Sequence, residues 1–104
     1  MKFIIHSKQL LNEALEYESK SGERCYIPGR DTPQTNGDEI LPINLEAMRN
    51  CDDEIPVFWD GGSKGTLFDM GMAYALEKPI KVIKTKKHHW TKFVAKREGK
   101  YLIE

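Results

Sequence analysis

The sequence lacks the features of secreted, membrane and metal-binding proteins. It has only two cysteines, Cys25 and Cys51, whose separation fits no common metal motif, and His88 and His89 have no third ligand nearby. No apolar run approaches the roughly 20 residues that a membrane-spanning helix needs, and the amino terminus lacks the apolar stretch of a secretory signal. We therefore expect a cytoplasmic protein with free thiols, no membrane association, no metal and no cofactor.

The sequence also lacks net charge, but its charges are unevenly distributed. Residues 81–100 contain eight of the 16 Lys and Arg residues. Such a basic block can face nucleic acid, a nucleotide phosphate or an acidic surface of a second subunit, or it can form a solvated face. Because no aromatic residues alternate with the basic ones in a binding pattern, we favour the solvated face and do not expect a nucleic-acid partner.

The hydrophobic pattern alternates between strand-like and helix-like periods. A chain of 104 residues with 39% hydrophobic residues suffices for one core, so we interpret residues 1–104 as a single domain. The pattern predicts strands at residues 2–5, 24–28, 55–59 and 79–84, and helices at residues 8–20, about 43–51 and 65–77. This order predicts an α/β fold, a flavodoxin-like or Rossmann-like three-layer sandwich with a mostly parallel sheet of four to five strands.

Several local features refine this prediction. Ser7 is a plausible cap for the first helix, and Pro42 is tolerable only in the first turn of the second helix. Residues 29–38 are rich in Gly, Pro, Asn and Asp, which predicts a long loop. After Thr85 the pattern is ambiguous: a short helix and a last strand, or a hairpin turning at residues 98–99, fit equally.

In a parallel sheet, the residues that follow the strands gather at one edge, where α/β folds bind ligands. These residues are the candidate binding residues: His6 and Ser7 after the first strand, Gly29, Arg30 and Asp31 after the second, and Asp60, Gly61, Gly62, Ser63 and Lys64 after the third. All of these chemically capable loops fall on the same side of the predicted sheet.

The turn "DGGSKGT", residues 60–66, combines glycines, a lysine and a helix start, which together favour an anion. Its glycine spacing excludes a Walker motif, and turn geometry alone explains the glycines equally well. Thr66 and Asp69 lie one helical turn apart. In one interpretation they are a capping pair, in which Thr66 caps the helix and Asp69 reaches back to its backbone. In the other, the helix holds the Asp69 carboxylate at the mouth of the crevice, opposite Asp60.

The stretch "NLEAMRNCDDEIPVFWDGGSKGTLFDMGMAYALEKPIKVI", residues 44–83, resembles the nucleoside 2-deoxyribosyltransferase family. That family has a helix "NLxAhxxAD", a strand ending in "DG" and the run "(S)GTxxExGxAxAxGKPV". The resemblance implies that Asp69 is the nucleophile that attacks the anomeric carbon. It further implies that Asp60 is the acid on the base side, and that Gly65 and Thr66 lie near the sugar or a 5′-phosphate.

The chain departs from the family pattern at three positions. Asp69 replaces a glutamate that is one methylene longer, Lys64 replaces a serine, and His6 and Ser7 replace an aromatic residue. We therefore expect either a nucleoside or nucleotide N-glycosidic transferase or hydrolase, or a non-catalytic sensor or sequestering protein that binds a nucleotide. Because family members complete their pockets with residues from a neighbouring subunit, the resemblance also implies a homodimer or a higher oligomer.

Overall fold

The computed structural model describes residues 1–52, 54–85 and 102–103. Its strands are β1 (Ile5–His6), β2 (Ile55–Trp59), β3 (Ile80–Thr85) and β4 (Leu102–Ile103). Its helices are α1 (Leu11–Ser21), α2 (Pro28–Asp31), α3 (Gly37–Asn50) and α4 (Lys64–Ala75), and a 3-10 turn at Lys8–Leu10 precedes α1. The segment after Thr85, for which the sequence pattern is ambiguous, lies outside the described residues except for residues 102–103.

The four strands form a parallel sheet in the order β1-β2-β3-β4. On the free edge of β1, Phe3 forms one parallel bridge with Tyr26. After β1 the chain first passes through Tyr26 on one side of β1 and then forms β2 on the other side of β1. The strand order therefore reverses between β1 and β2. β4 lies in the predicted last strand and pairs parallel with β3, whereas the predicted short helix and the predicted hairpin turn at residues 98–99 lie outside the described residues. This mixed α/β architecture is compatible with a Rossmann-like fold.

Helices pack on both faces of the sheet. On one face, α3 and α4 contribute Met48, Met70 and Ala73 to a core that includes β2 and β3 side chains such as Val57 and Val82. On the other face, residues of the first helical segment, including Leu10 and Ala14, pack on Ile4 and Phe58. Alternate residues of β2 face these two cores, which explains why its apolar run is continuous.

The predicted second strand, residues 24–28, is wrong as a full strand. Only Tyr26 makes strand-like hydrogen bonds, because its N–H donates to the Lys2 carbonyl and its carbonyl accepts from Ile4. Pro28 follows at once and begins α2, since proline fits the first turn of a helix.

The predicted long loop at residues 29–38 is also wrong in part, because it contains most of α2 and the start of α3. Asn36 caps α3 by accepting a hydrogen bond from the Glu39 N–H, and Asp38 and Glu39 place negative charge in the first turn. Pro42 consequently lies inside α3 rather than in its first turn. It is exposed, so its ring faces solvent and not the sheet.

Other local predictions agree with the structure. Gly22 has a φ of 74° and ends α1 in the left-handed conformation, which glycine adopts without strain. Cys25 and Cys51 are buried and unpaired. Among the residues that the structure describes, no helix is long and apolar enough to cross a membrane.

Candidate functional site

Ser7 links β1 to the start of α4 at the point where the strand order reverses. It is fully buried, and its hydroxyl accepts a hydrogen bond from the Asp60 N–H at 2.9 Å and lies 3.1 Å from the Thr66 hydroxyl. Ser7 occupies the N-cap position of the following 3-10 turn, as predicted, but its side chain makes no capping hydrogen bond there. The Ser7 hydroxyl instead fixes the distance between two loops at the carboxyl edge of the sheet.

Ser63 is the residue that caps α4. Its hydroxyl accepts from the Thr66 N–H at 3.2 Å and from the Thr66 hydroxyl at 3.1 Å. The capping-pair alternative for Thr66 and Asp69 is therefore wrong, because the cap position is already taken. Since the Thr66 hydroxyl donates to Ser63, the Ser7 hydroxyl must donate to Thr66, which orders a short chain of hydroxyl groups.

Asp60 builds the turn between β2 and α4. Its Oδ1 accepts 2.8 Å hydrogen bonds from the N–H groups of Gly62 and Ser63, and Gly61 has a φ of 86°. Trp59 supports this turn from the core, because its indole N–H donates to the Ser63 carbonyl at 3.1 Å. The glycine at position 61 is therefore required by backbone geometry, while Lys64 is exposed at the first position of α4.

His6 joins β1 to α2 through both ring nitrogens. Its Nε2 accepts from the Gly29 N–H at 3.0 Å, so the proton must lie on Nδ1, which donates to the Ser7 carbonyl at 3.0 Å. Burial lowers the pKa of His6 below its usual value. The imidazole is therefore neutral at physiological pH and acts as a fixed connector.

A cavity of about 240 Å³ opens beside these groups. Six of the predicted site residues line it: His6, Gly29, Ser63, Gly65, Thr66 and Asp69. Six residues that the sequence did not single out complete the wall: Lys8, Leu11, Pro28, Gln34, Ile40 and Asn44. Many ligand pockets have volumes of about 300–1,000 Å³. This cavity is smaller, so a nucleotide would extend beyond the cavity.

Asp69 is the cavity residue with the most altered acidity. It is partly buried on the second turn of α4 and, among the described residues, has no hydrogen-bond or ion-pair partner. Burial alone raises the pKa of its carboxyl from 3.8 to about 7. A carboxylate that is uncompensated inside a cavity is a typical feature of a site that meets a positively charged or polar ligand.

Arg30 and Asp31 do not line the cavity. Arg30 pairs with Glu18 at 2.6 Å and with Asp31 at 2.9 Å, and Asp31 accepts a hydrogen bond from the Ile27 N–H. The Arg30 guanidinium lowers the pKa of Glu18 to about 2. These contacts tie α2 to α1, and a substrate role for Arg30 and Asp31 stays a prediction.

Three of the six cavity residues that sequence reasoning missed, Gln34, Ile40 and Asn44, belong to α3 and to the segment before it, and the other three belong to the 3-10 turn, α1 and α2. Gln34 lies in a turn-rich segment and donates to the carbonyls of Pro28 and Thr32. Ile40 and Asn44 are four residues apart on α3, and this spacing is the one signal that would place them on a common face. Which face of α3 meets the cavity depends on packing, so the spacing alone did not identify them.

Gly29→Ala is expected to lower the free energy of unfolding by about 1–3 kcal/mol and to displace His6. An added Cβ would lie 2.7 Å from His6 Cε1 and 3.0 Å from Leu11 Cδ1. Urea unfolding measures the loss, and the His6 ring resonances report the displacement. Gly71→Ala on α4 is the matched control, because its Cβ meets nothing within 4 Å and alanine favours helix. Equal stability of the two variants would contradict the close approach at Gly29.

Asp69→Asn is expected to raise the free energy of unfolding on the order of 2 kcal/mol at pH 8, and by progressively less as the pH falls to 4. The pKa of the Asp69 carboxyl is about 7 in the folded state and near 3.8 when exposed. Its ionisation above about pH 4 therefore favours the unfolded state and lowers the free energy of unfolding. Denaturant unfolding at several pH values measures this. Asp38→Asn on the exposed first turn of α3 should show no such gain. A pH-independent difference would contradict the raised pKa.

A second, mostly apolar groove of about 520 Å³ lies between α3 and α4 on the outer surface. Leu45 and Met72 line it, together with Phe68, which is 54% exposed. The predicted homodimer or higher oligomer stays a prediction, and this groove is an apolar surface of the kind that a subunit interface needs.

The comparisons with known proteins define the class of fold. No family model matches the chain, and no curated protein matches its sequence. Among solved structures, the chain has the fold of the CMP N-glycosidase BcmB from Clostridium botulinum, with a TM-score of 0.64 and 17% sequence identity. The match covers 99% of this chain and 88% of that protein. The similarity is therefore one of fold over nearly the full length.

Proposed function

We propose that this protein cleaves the N-glycosidic bond of a nucleotide, with Asp69 as the carboxylate that acts on C1′ of the sugar. The observation that carries this proposal is the position of Asp69 in a cavity at the carboxyl edge of the sheet, without a partner among the described residues. The fold shared with a CMP N-glycosidase and the resemblance of residues 44–83 to nucleoside 2-deoxyribosyltransferases support the same reaction.

The surroundings of Asp69 suit a transition state with positive charge at C1′. As the bond between C1′ and the base nitrogen breaks, its electron pair leaves with the base and the sugar becomes cationic. A carboxylate in a poorly solvated cavity attracts that cation more strongly than one in water does. The interaction is therefore stronger in the transition state than with the neutral substrate, which is the requirement for catalysis.

The complete reaction has two steps. The Asp69 carboxylate forms a bond to C1′ while the base departs. The family resemblance supports Asp60, which follows β2 next to the cavity wall but does not itself line the cavity, as the acid that gives the departing base a proton. Water then attacks C1′, gives a proton to the Asp60 carboxylate and releases the sugar phosphate and the Asp69 carboxylate; in a transferase a second base attacks instead and a new nucleotide leaves. In this scheme the serine and threonine at the start of α4 hold the cavity's shape rather than react.

A nucleotide fits the site better than a nucleoside. Lys8, Ser63 and Gly65 line the same cavity, so a lysine and a capped helix N-terminus face one space. Both features favour a negatively charged group such as a 5′-phosphate. The exposed Lys64 adds a further positive charge next to this helix start.

The second candidate is a non-catalytic protein that binds a nucleotide. It is favoured by the raised pKa of Asp69, because a carboxyl group is not a nucleophile while it is protonated. The shorter side chain of aspartate compared with the family's glutamate favours it as well.

The decisive experiment is incubation with the ribo- and deoxyribonucleoside monophosphates and the parent nucleosides, followed by chromatography of the free base and the sugar phosphate. We expect base release from at least one monophosphate, and slower release from its nucleoside. Binding without release of base from any substrate would contradict the enzyme and leave the non-catalytic candidate.

A further inference from the structure

The short segment around Tyr26 forms the outer edge of the sheet next to β1. The Tyr26 N–H donates to the Lys2 carbonyl at 2.8 Å, and the Tyr26 carbonyl accepts from the Ile4 N–H at 2.9 Å. Because backbone groups of successive residues in an extended segment point to opposite sides, those of Cys25 and Ile27 point away from the sheet. No strand in the described part of the chain lies beyond them. Such an edge normally leaves backbone groups on which a strand of another chain can pair.

The backbone groups on this outer edge are all occupied. The Glu18 carboxylate accepts from the Cys25 N–H at 2.7 Å, and the Arg30 guanidinium donates to the Cys25 carbonyl at 2.9 Å. The Asp31 carboxylate accepts from the Ile27 N–H at 2.9 Å. The Ile27 carbonyl accepts the first backbone hydrogen bonds of α2. An incoming strand therefore finds no free donor or acceptor at these two residues.

The three side chains also hold one another in place. Arg30 donates to both carboxylate oxygens of Glu18, at 2.6 and 3.0 Å, and to both of Asp31, at 2.9 Å each. Hydrogen bonds between ionised groups are stronger than neutral ones, and the forked guanidinium fixes their direction. A strand from another chain offers only neutral carbonyls to the two N–H groups. It would have to displace ionised acceptors that are already held by a cation.

The arrangement does more than link α1 to α2. That link would need only the ion pair of Arg30 with Glu18, whereas three further hydrogen bonds of the network go to the backbone of the edge. Pro28 also begins α2 directly after the edge segment, which keeps that segment short. Short edge strands, charged side chains and proline are the devices by which sheets avoid pairing with other chains. All three occur here within residues 18–31.

We propose that Glu18, Arg30 and Asp31 form an edge network that occupies the outer edge of the sheet and prevents a strand of another chain, including a second copy of this one, from pairing there. The inference does not depend on the proposed function. It implies that any oligomer of this protein uses a different surface.

Native-state amide hydrogen exchange of the wild-type chain is the first test. We expect the amides of Cys25 and Ile27 to be protected to a degree comparable with the Tyr26 amide, although they face away from the sheet. Exchange of both amides at the rate of exposed ones would overturn the proposal. Because this measurement needs no variant, it keeps the proposal testable if a variant does not fold.

The double variant Glu18→Ala/Arg30→Ala is the second test, because it frees both backbone groups of Cys25 without changing the net charge. We expect the Cys25 amide to exchange about tenfold faster in dilute solution. At higher concentration, sedimentation velocity should show association beyond that of the wild-type protein, and the Cys25 amide should regain its protection. Glu16→Ala/Lys20→Ala removes an exposed ion pair from the same helix and is the matched control, which should behave as the wild type does.

Val57→Ala controls for association that follows from lost stability alone. Val57 is fully buried in the core and does not belong to the edge network, so its truncation should destabilise the fold and leave the edge occupied. Unchanged association of the double variant would overturn the proposal. Association without renewed protection of the Cys25 amide, or equal association of an equally destabilised Val57→Ala, would overturn it as well.

Discussion

In Asp69→Asn, release of base from the preferred nucleotide is expected to fall on the order of a thousandfold or more. The amide keeps the shape of the carboxylate but has no negative charge to stabilise a cationic sugar and is a poor nucleophile. Single-turnover chromatography of the free base measures the loss. Because the uncharged side chain costs less to bury, the variant is expected to stay folded, so the loss reports on chemistry.

Two further variants sharpen this result. Asp38→Asn, which removes an exposed carboxylate from α3, should leave the rate unchanged. Asp69→Glu moves the carboxylate by about 1 Å, which costs on the order of a hundredfold if Asp69 is well placed and raises the rate if aspartate falls short of C1′. Full turnover in Asp69→Asn would remove Asp69 from the mechanism.

Trp59→Ala is expected to lower the free energy of unfolding by about 3–5 kcal/mol, the largest loss of stability that we predict. Trp59 is 4% exposed, belongs to the core between the sheet and α3 and α4, and donates to the Ser63 carbonyl. It does not line the cavity, so its role is packing rather than stacking on a base. Denaturant unfolding followed by circular dichroism measures the loss.

Trp59→Phe separates packing from hydrogen bonding at this position. The phenyl ring fills much of the same space but cannot donate to the Ser63 carbonyl, so a smaller loss of about 1–2 kcal/mol is expected. A loss below about 1 kcal/mol in Trp59→Ala would contradict the close packing of this residue.

The sequence predicted those parts of the fold whose signals are local. The apolar run of β2, residues 55–59, and the hydrophobic pattern of α4 predict these elements without any knowledge of tertiary contacts. The start of α3 was obscured, because Asn36 and Glu39 form a cap inside a stretch that also contains turn residues and is followed by Pro42. The second strand was overestimated, since Pro28 favours a helix start directly after Tyr26.

The candidate site was predictable only where it follows a strand. The rule that parallel strands end at one edge selects His6, Gly29 and Ser63, which do line the cavity. It does not select Asn44, because that residue reaches the cavity through the packing of α3 on the sheet. The rule also does not exclude Arg30 from the candidate site. The ion pair of Arg30 with Glu18 depends on how α1 packs relative to α2.

The two hydrogen bonds of His6 set a limit on the acidity in which the site keeps its shape. If the ring gains a second proton, Nε2 becomes a donor that faces the Gly29 N–H, and the link from β1 to α2 is lost. Its lowered pKa keeps this from happening until the medium is acidic. Asp69 needs the opposite change, loss of a proton, before it can act. Cavity shape and chemical readiness therefore favour the same neutral to mildly alkaline range, and both are lost on acidification.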